Sequence, residues 1–364
     1  MSTNIFGRLT RRSFLAGLPG MPLALTKRQQ ALRVPGLSLA VYSKGMVLTH
    51  AVGRLSVAHP DPVTPKSSFQ AASISKTVAG LTVLALARAG RLKLDDDARA
   101  MTRRWKPADP APPAGSLTLR RLLGMTAGTN VPGFAGYPAG AALPSLQETL
   151  DGKPPANNVP VAVARMPGTL RAYSGGGYQI LEAALEDHLG ISFTELVARH
   201  VLQPLGMNRS RFAPPERDRD EGPALAHDGR GEPVPGGFHR YPEHAAAGLW
   251  STPSDLLLMA AAFCRAAAGD PTSALAPEDY AELATSVDGL GYGLGVALGE
   301  AEGSTFLFKR GNNLGYRSGL IAFPRAAGAA VVMTNGDNGE ALVDDVLFAL
   351  RDRQGWPRFD RLPE

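Results

Sequence analysis

The chain has one cysteine in 364 residues, so no disulfide can form within it. That cysteine, Cys264, ends the apolar run Leu256-Leu-Leu-Met-Ala-Ala-Ala-Phe-Cys and reads as a buried core thiol. Bilayer-length apolar runs are missing as well. The stretch over residues 14–25 has about 12 residues, too few to cross a bilayer, so no stable membrane span is expected. A one-sided charge is absent from most of the chain. The net charge is +5, and Arg8, Arg11, Arg12, Lys27 and Arg28 supply five positive charges before residue 31 with no acid among them. The rest of the chain is balanced, with 33 basic and 33 acidic residues. Nucleic-acid binding needs a basic face on the folded part, so nucleic acid is not an expected partner. There is no Gly-x-Ser-x-Gly elbow and no His-Glu-x-x-His pair. The seven histidines show no metal spacing; His227, His239 and His244 cluster loosely and read as loop and core residues. No metal or cofactor is expected.

Lysine is scarce too: only eight of the 38 basic residues are lysines. One of them lies in Phe69-Gln-Ala-Ala-Ser-Ile-Ser-Lys-Thr-Val. A serine hydroxyl is a poor nucleophile until a base takes its proton. Helix positions i and i+3 face the same way, so Lys76 can reach Ser73, whereas Ser75 at i−1 from the lysine does not face it. Lysine loses its proton readily when desolvated and arginine effectively does not, so Lys76 suits a base. The apolar residues after it predict a buried helix of about 16 residues ending at Gly90. Ser73 then sits in its first turn, where unpaired N–H groups and the helix dipole favour negative charge. The competing reading of so short a motif is a solvated helix face.

Two further places could serve the same chemistry. Arg171-Ala-Tyr-Ser-Gly-Gly-Gly-Tyr sets Tyr173 beside glycines, where neighbouring ammonium groups would favour its phenolate. It can equally be a turn tyrosine on the core. Lys309-Arg-Gly-Asn-Asn-Leu-Gly comes directly after a strand-like run and can put positive charge where a substrate backbone approaches closely at Gly311. The alternative is an edge lysine that discourages aggregation.

The runs on either side of Ser43-Lys44-Gly45 predict a β-hairpin. Four strand-like runs begin near Gly293, Thr305, Tyr316 and Ala329, and a helix closes the chain over residues 340–353. Helices are also predicted over residues 119–123, 180–190, 193–205 and from Thr252, with a surface loop over 213–238. The expected fold class is α+β: an antiparallel five-stranded sheet, the hairpin pairing with three C-terminal strands, flanked by helices with an inserted helical domain. Residues 31–90 and 240–364 would form the sheet-containing part and 91–239 the insertion. Thr10-Arg-Arg-Ser-Phe-Leu-Ala-Gly resembles a twin-arginine motif, so residues 1–30 read as an export signal. That implies a periplasmic or secreted protein, with a cytoplasmic one as the alternative.

Ser73-x-x-Lys76, Tyr173-Ser-Gly and Lys309-x-Gly311 occur in the order and rough spacing of the penicillin-recognising serine hydrolases. The chain resembles the group of class C β-lactamases, DD-peptidases and family VIII carboxylesterases over roughly residues 33–357. Leu122-Leu-Gly-Met-Thr-Ala-Gly, Gln203-Pro-Leu-Gly-Met and Ala246-Ala-Gly-Leu-Trp-Ser-Thr-Pro-Ser-Asp-Leu support the likeness. The resemblance implies a β-lactamase/transpeptidase-like fold with the site between sheet and helices. It implies that Ser73 forms an acyl-enzyme on a small ester, peptide or β-lactam. Lys76 and Tyr173 would share the base role, and Lys309 would hold the tyrosinate or a substrate anion. The backbone N–H groups of Ser73 and Asn312 would form the oxyanion hole. A slow penicillin-binding protein, acylated without efficient turnover, is the alternative. Two positions depart from the family pattern. Gly175 stands where an asparagine often contacts the substrate amide, and Arg310 stands where a small or hydroxyl residue is common. Arg310 and Arg317 are thus candidates for binding a substrate carboxylate.

Overall fold

The computed structural model describes residues 21–109, 111–214 and 222–363. The expected hairpin is present: β1 (Gly36–Ser43) and β2 (Met46–Ser56) pair antiparallel, with Ser43 opposite Met46. Lys44 and Gly45 turn the chain with φ of 49° and 79°, a pair of positive values that suits the right-handed twist of the strands. All of β1 except Tyr42 is buried, as a central strand requires. The remaining strands of this sheet are β3 (His59–Pro62), β4 (Ala297–Ala301), β5 (Ser304–Asn313), β6 (Tyr316–Phe323) and β7 (Gly328–Thr334).

The sheet therefore has seven strands, not five, in the order β3-β2-β1-β7-β6-β5-β4, with every neighbouring pair antiparallel. Both additional strands are edges. β3 reads His-Pro-Asp-Pro and is exposed throughout. Its two prolines remove backbone donors, which makes the run look like a turn and confines it to an edge. At the other edge, the run beginning at Gly293 becomes a strand only at Ala297.

The five longer helices are α1 (Met21–Ala31), α2 (Ser75–Arg88), α3 (Gly175–Leu189), α4 (Pro253–Ala267) and α5 (Gly339–Gln354), of which α4 and α5 pack directly on the sheet. Side chains alternate between faces along each strand. Ala40, Leu320, Val331 and Met333 join one apolar cluster with α4, α2 and α3. Leu39, Ile321, Ala330 and Val332 join the other with Leu25 of α1 and Leu342, Val346 and Leu350 of α5. Cys264 lies in α4, and burial pushes its thiol up to about 12, so it is an inert core group. Of the segment expected to be an export signal, residues 1–20 lie outside the described residues. Residues 21–30 belong to α1, which Arg28 ties to Asp345 of α5 at 2.7 Å. Among the described residues no helix is long and apolar enough to cross a membrane.

α2 is buried along nearly its whole length, and Gly90 (φ 68°) stands just past its end, as the sequence predicts. Helical structure continues from Phe193 to Leu205, with a π-helical turn over Ala198–Leu202. α3 starts five residues earlier than its apolar pattern suggests. Three glycines open it, which propensity argues against. The Ser174 hydroxyl offsets this by accepting from the Gly177 N–H at 3.0 Å.

Candidate active site

Ser73 does not begin α2 itself. It lies in a tight 3₁₀ turn, Ala72–Ile74, immediately ahead of the helix. Ala72 has φ of 49°, a left-handed conformation that costs an L-residue free energy and here tips the serine out of the helix direction. The turn is pinned by Ala71 N–H to the Leu249 carbonyl at 2.8 Å. Ser73 remains partly open to a cleft of about 310 Å³, whereas Ser75 is wholly buried. The Ser75 hydroxyl donates to the Ala72 carbonyl at 2.6 Å and accepts from the Leu249 N–H at 3.1 Å. Ser75 is thereby committed to holding the turn, and Ser73 is the hydroxyl that faces the cleft.

Lys76, one turn on, is 2 % exposed. Its Nζ donates to Ser73 Oγ at 3.0 Å and to the Ala246 carbonyl at 2.7 Å. No carboxylate pairs with it among the described residues. Burial favours the uncharged amine and lowers its pKa to about 8; the Tyr173 phenolate works against this and the Lys309 charge works with it. Tyr173 stands between the two lysines, with Lys76 Nζ 5.1 Å and Lys309 Nζ 4.8 Å from its ring centre. Lys309 Nζ also donates to its hydroxyl at 3.2 Å. Burial of that hydroxyl opposes ionisation, but the two ammonium groups and the Ser73 hydroxyl outweigh it, and the phenol falls to about 7. The outer part of the ring stays open to the cleft, 41 % exposed. Lys309 moves the other way: burial alone would lower it, and the nearby tyrosines hold it above the ordinary lysine value.

Lys309 is placed by β5, opposite Leu320 of β6. Gly311, two residues on, does not line the cleft. A Cβ there would lie 2.2 Å from Ser318 Oγ and 2.3 Å from the Ala71 carbonyl oxygen. Only glycine lets β5 lie against the turn that carries Ser73. Gly311→Val is expected to displace that turn, lowering kcat by about 10²-fold and stability by about 1–3 kcal/mol. Parallel kinetics and thermal melts check both, and a variant with unaltered rate and Tm would show the approach to be unimportant. Behind α2 a second close approach occurs: a Cβ on Gly295 (φ 85°) would meet the Lys76 carbonyl oxygen at 2.2 Å, and one on Gly80 would meet the Leu294 carbonyl oxygen at 2.2 Å. The Thr77 hydroxyl donates to the Gly295 carbonyl at 2.8 Å across the same contact.

The cleft thus gathers Ser73, Lys76, Tyr173, Lys309 and Asn312, with Gly311 beneath the strand wall. Three contributors escape sequence reasoning. The Ala246 carbonyl carries no side-chain signal; it is positioned because buried Glu182 of α3 accepts from the Ala245 N–H at 2.9 Å and contacts His244 Nδ1 at 3.1 Å. Tyr292 packs its ring 5.7 Å from Lys309 Nζ, its buried hydroxyl lacking a hydrogen bond of normal geometry. Phe134 enters the cleft from a loop with no distinguishing pattern.

Two expectations fail. Arg310 is not free to bind a substrate carboxylate, because it pairs with Asp344 at 2.9 Å and Glu340 at 3.7 Å on α5. Arg317 pairs with Asp337 at 3.0 Å and donates to the Asn313 and Tyr316 carbonyls. Among the described residues no three His, Cys, Asp or Glu side chains are arranged to hold a metal ion.

Comparison with known proteins matches residues 24–352 to the family model described as Beta-lactamase. The chain is 30% identical over 194 residues to penicillin-binding protein 4 of Amycolatopsis lactamdurans, covering 52% of this chain and 49% of that one. It is 28% identical over 190 residues to a beta-lactamase of Escherichia coli (strain K12), covering 52% of this chain and 46% of that one. The chain thus spans about half the length of these curated relatives. In fold it is similar to the octameric penicillin-binding protein homologue from Pyrococcus abyssi, with a TM-score of 0.76 and 23% identity over 92% of this chain and 77% of that one.

Proposed function

The chain belongs to the Beta-lactamase family, and on that premise we propose that it is a serine hydrolase working through an acyl-enzyme on an ester or amide. The observation that carries this reading is the Lys76 amine, buried without a carboxylate partner among the described residues and 3.0 Å from the Ser73 hydroxyl. Neutral Lys76 accepts the Ser73 proton as Oγ attacks the substrate carbonyl. The oxyanion forms against the backbone N–H groups of Ser73 and Asn312, donors that typically contribute about 3–4 kcal/mol each. Tyr173 passes a proton to the leaving group as the carbonyl re-forms, leaving Ser73 acylated. The Tyr173 phenolate, held by Lys309, then takes a proton from water, which attacks the ester; Lys76, 3.0 Å away, returns its proton to Ser73 Oγ as the acyl–oxygen bond breaks and the acid leaves. In this reading residues 91–239 form a helical part that supplies Tyr173, while the sheet part supplies Ser73, Lys76 and Lys309. The twin-arginine segment, Arg11 and Arg12, supports export of the folded chain; a Lys-Lys replacement that leaves export unchanged would count against it.

Parallel assays with nitrocefin, a D-Ala-D-Ala peptide and p-nitrophenyl acetate, with intact mass measured alongside, test the proposal. Turnover of any of them with a transient adduct on Ser73 supports hydrolysis. A stable penicillin adduct with no turnover supports the slow penicillin-binding reading, which the similarity to penicillin-binding protein 4 favours. No reaction of Ser73 with a fluorophosphonate would remove both.

The acid limb of kcat/KM reports the coupled Lys76–Tyr173 pair, which must lose a proton to act as base. Rate is therefore expected to rise as the pair loses its first proton, near pH 7, and to fall as it loses its second, near pH 8, when Tyr173 has no proton left for the leaving group. Lys309→Ala removes a cation that lowers both groups, so the acid limb should move up by roughly 1–3 pH units. A limb that stays in place would separate Lys309 from the base.

A further inference from the structure

Gly175 stands where a side-chain amide would reach substrate, and the space beside it is already filled. A Cβ on Gly175 would lie 2.9 Å from Phe134 Cε2, 3.3 Å from Cδ2 and 3.4 Å from Gly133 Cα. The ring of Phe134 is thus seated against the Gly175 backbone, and it forms part of the cleft wall with Ser73 and Tyr173. The loop that carries it is fixed to the start of α3. Gly175 N–H donates to the Pro132 carbonyl at 2.9 Å and Gly176 N–H to the Val131 carbonyl at 3.0 Å. Phe134 is a built surface, not a loose loop side chain.

The rest of the cleft fits the same chemistry. Ala247, Ala297 and the ring of Tyr292 add apolar wall. The polar groups at the other wall lie on β5 and α5: Arg310 Nη2 donates to Asp344 at 2.9 Å and Asn313 Nδ2 to Gln70 Oε1 at 2.7 Å, while Asn312 and Glu340 stay open to the cleft. Lys76 and Lys309 are tied to Ser73 and Tyr173. A substrate amide laid against the Phe134 ring would lose hydrogen bonds to water and gain none from the ring. A flat apolar group would lose nothing and gain ring contact.

We propose that Phe134 is the specificity-determining residue of this cleft and that the preferred substrate is a neutral ester with an aromatic acyl group stacked on Phe134. The inference rests on the serine hydrolase reading and names the substrate class of that site. Its content is the acyl side: the alcohol leaves past Tyr173 and Lys309, away from the Phe134 ring.

The test compares p-nitrophenyl phenylacetate, acetate and N-acetylglycinate, which share one leaving group. Wild-type kcat/KM is expected to be roughly tenfold or more higher for the phenylacetyl ester than for either of the others. In Phe134→Ala that preference should shrink by about tenfold, through KM. In the double variant Phe134→Gly/Gly175→Asn the order should turn toward the N-acetylglycyl ester. Active-site titration with a fluorophosphonate runs alongside. If the wild type does not titrate, the hydrolase reading has failed. If it titrates but the N-acetylglycyl ester is preferred, or selectivity follows the alcohol in an acetate-ester series, the assignment of Phe134 is overturned while the hydrolase reading survives. The wild-type ranking decides the matter even if Phe134→Ala does not fold.

Discussion

Ser73→Ala is expected to abolish turnover, with kcat falling by roughly 10⁴-fold or more, the scale reached when a nucleophile is removed from a group that acts as a unit. No neighbouring hydroxyl can substitute. Ser75 is buried and engaged with Ala72 and Leu249, at 2.6 and 3.1 Å, and does not line the cleft. The change should leave the fold intact, because Lys76 keeps its bond to the Ala246 carbonyl and only one partly open hydroxyl is lost. The stability change should stay below about 1 kcal/mol. Kinetics with p-nitrophenyl acetate, fluorophosphonate labelling and a thermal melt together make the check. Labelling that persists at another serine, or turnover that survives, would move the nucleophile elsewhere.

The second large effect belongs to Lys76. Removing a positioned general base typically lowers rate by about 10²–10⁴-fold, and both Lys76→Met and Lys76→Arg are expected in that range. The pair of variants is informative because they differ in charge. Arginine keeps a cation near Tyr173 but cannot give up its proton, so it preserves the electrostatics and loses the base. If Lys76→Arg retained near wild-type kcat, Lys76 would be an electrostatic group and Tyr173 the sole base. The two variants should also separate rate from stability. A buried ammonium with no carboxylate partner among the described residues disfavours the folded state, so Lys76→Met, similar in length and apolar, should melt no lower than wild type while being nearly inactive. A clear fall in Tm would mean that the bonds to Ser73 and Ala246 outweigh the desolvation.

What could be read from the chain was local. The hairpin at Lys44-Gly45, the buried helix ending at Gly90 and the Ser73–Lys76 spacing are each set within a few residues, so periodicity and turn chemistry reveal them. The strand β3 was illegible because two prolines and complete exposure remove both signals of a strand, and only its pairing with β2 makes it one. The start of α3 was illegible because Gly175, Gly176 and Gly177 have poor helix propensity; tertiary contact with the 131–134 loop decides it. Arg310 was misread for a related reason. Its carboxylate partner Asp344 lies 34 residues away on α5, and no short window contains both. The Ala246 carbonyl and the Phe134 ring belong to the same category: their roles come from what folding brings beside them.

The close approaches at Gly80, Gly295 and Gly311 have a consequence for how the nucleophile is held. α2 and the Ser73 turn are braced on two sides by main-chain atoms of other segments: the Leu294 and Lys76 carbonyls meet glycines behind the helix, and Ala71 meets Gly311 in front. These braces are built largely of main-chain atoms, with the Ser318 and Thr77 hydroxyls joining them. Phe134 and Gly175 are not among the atoms that meet at these glycines. On the proposed reading, the nucleophile and the wall that selects the acyl group are held by separate sets of atoms.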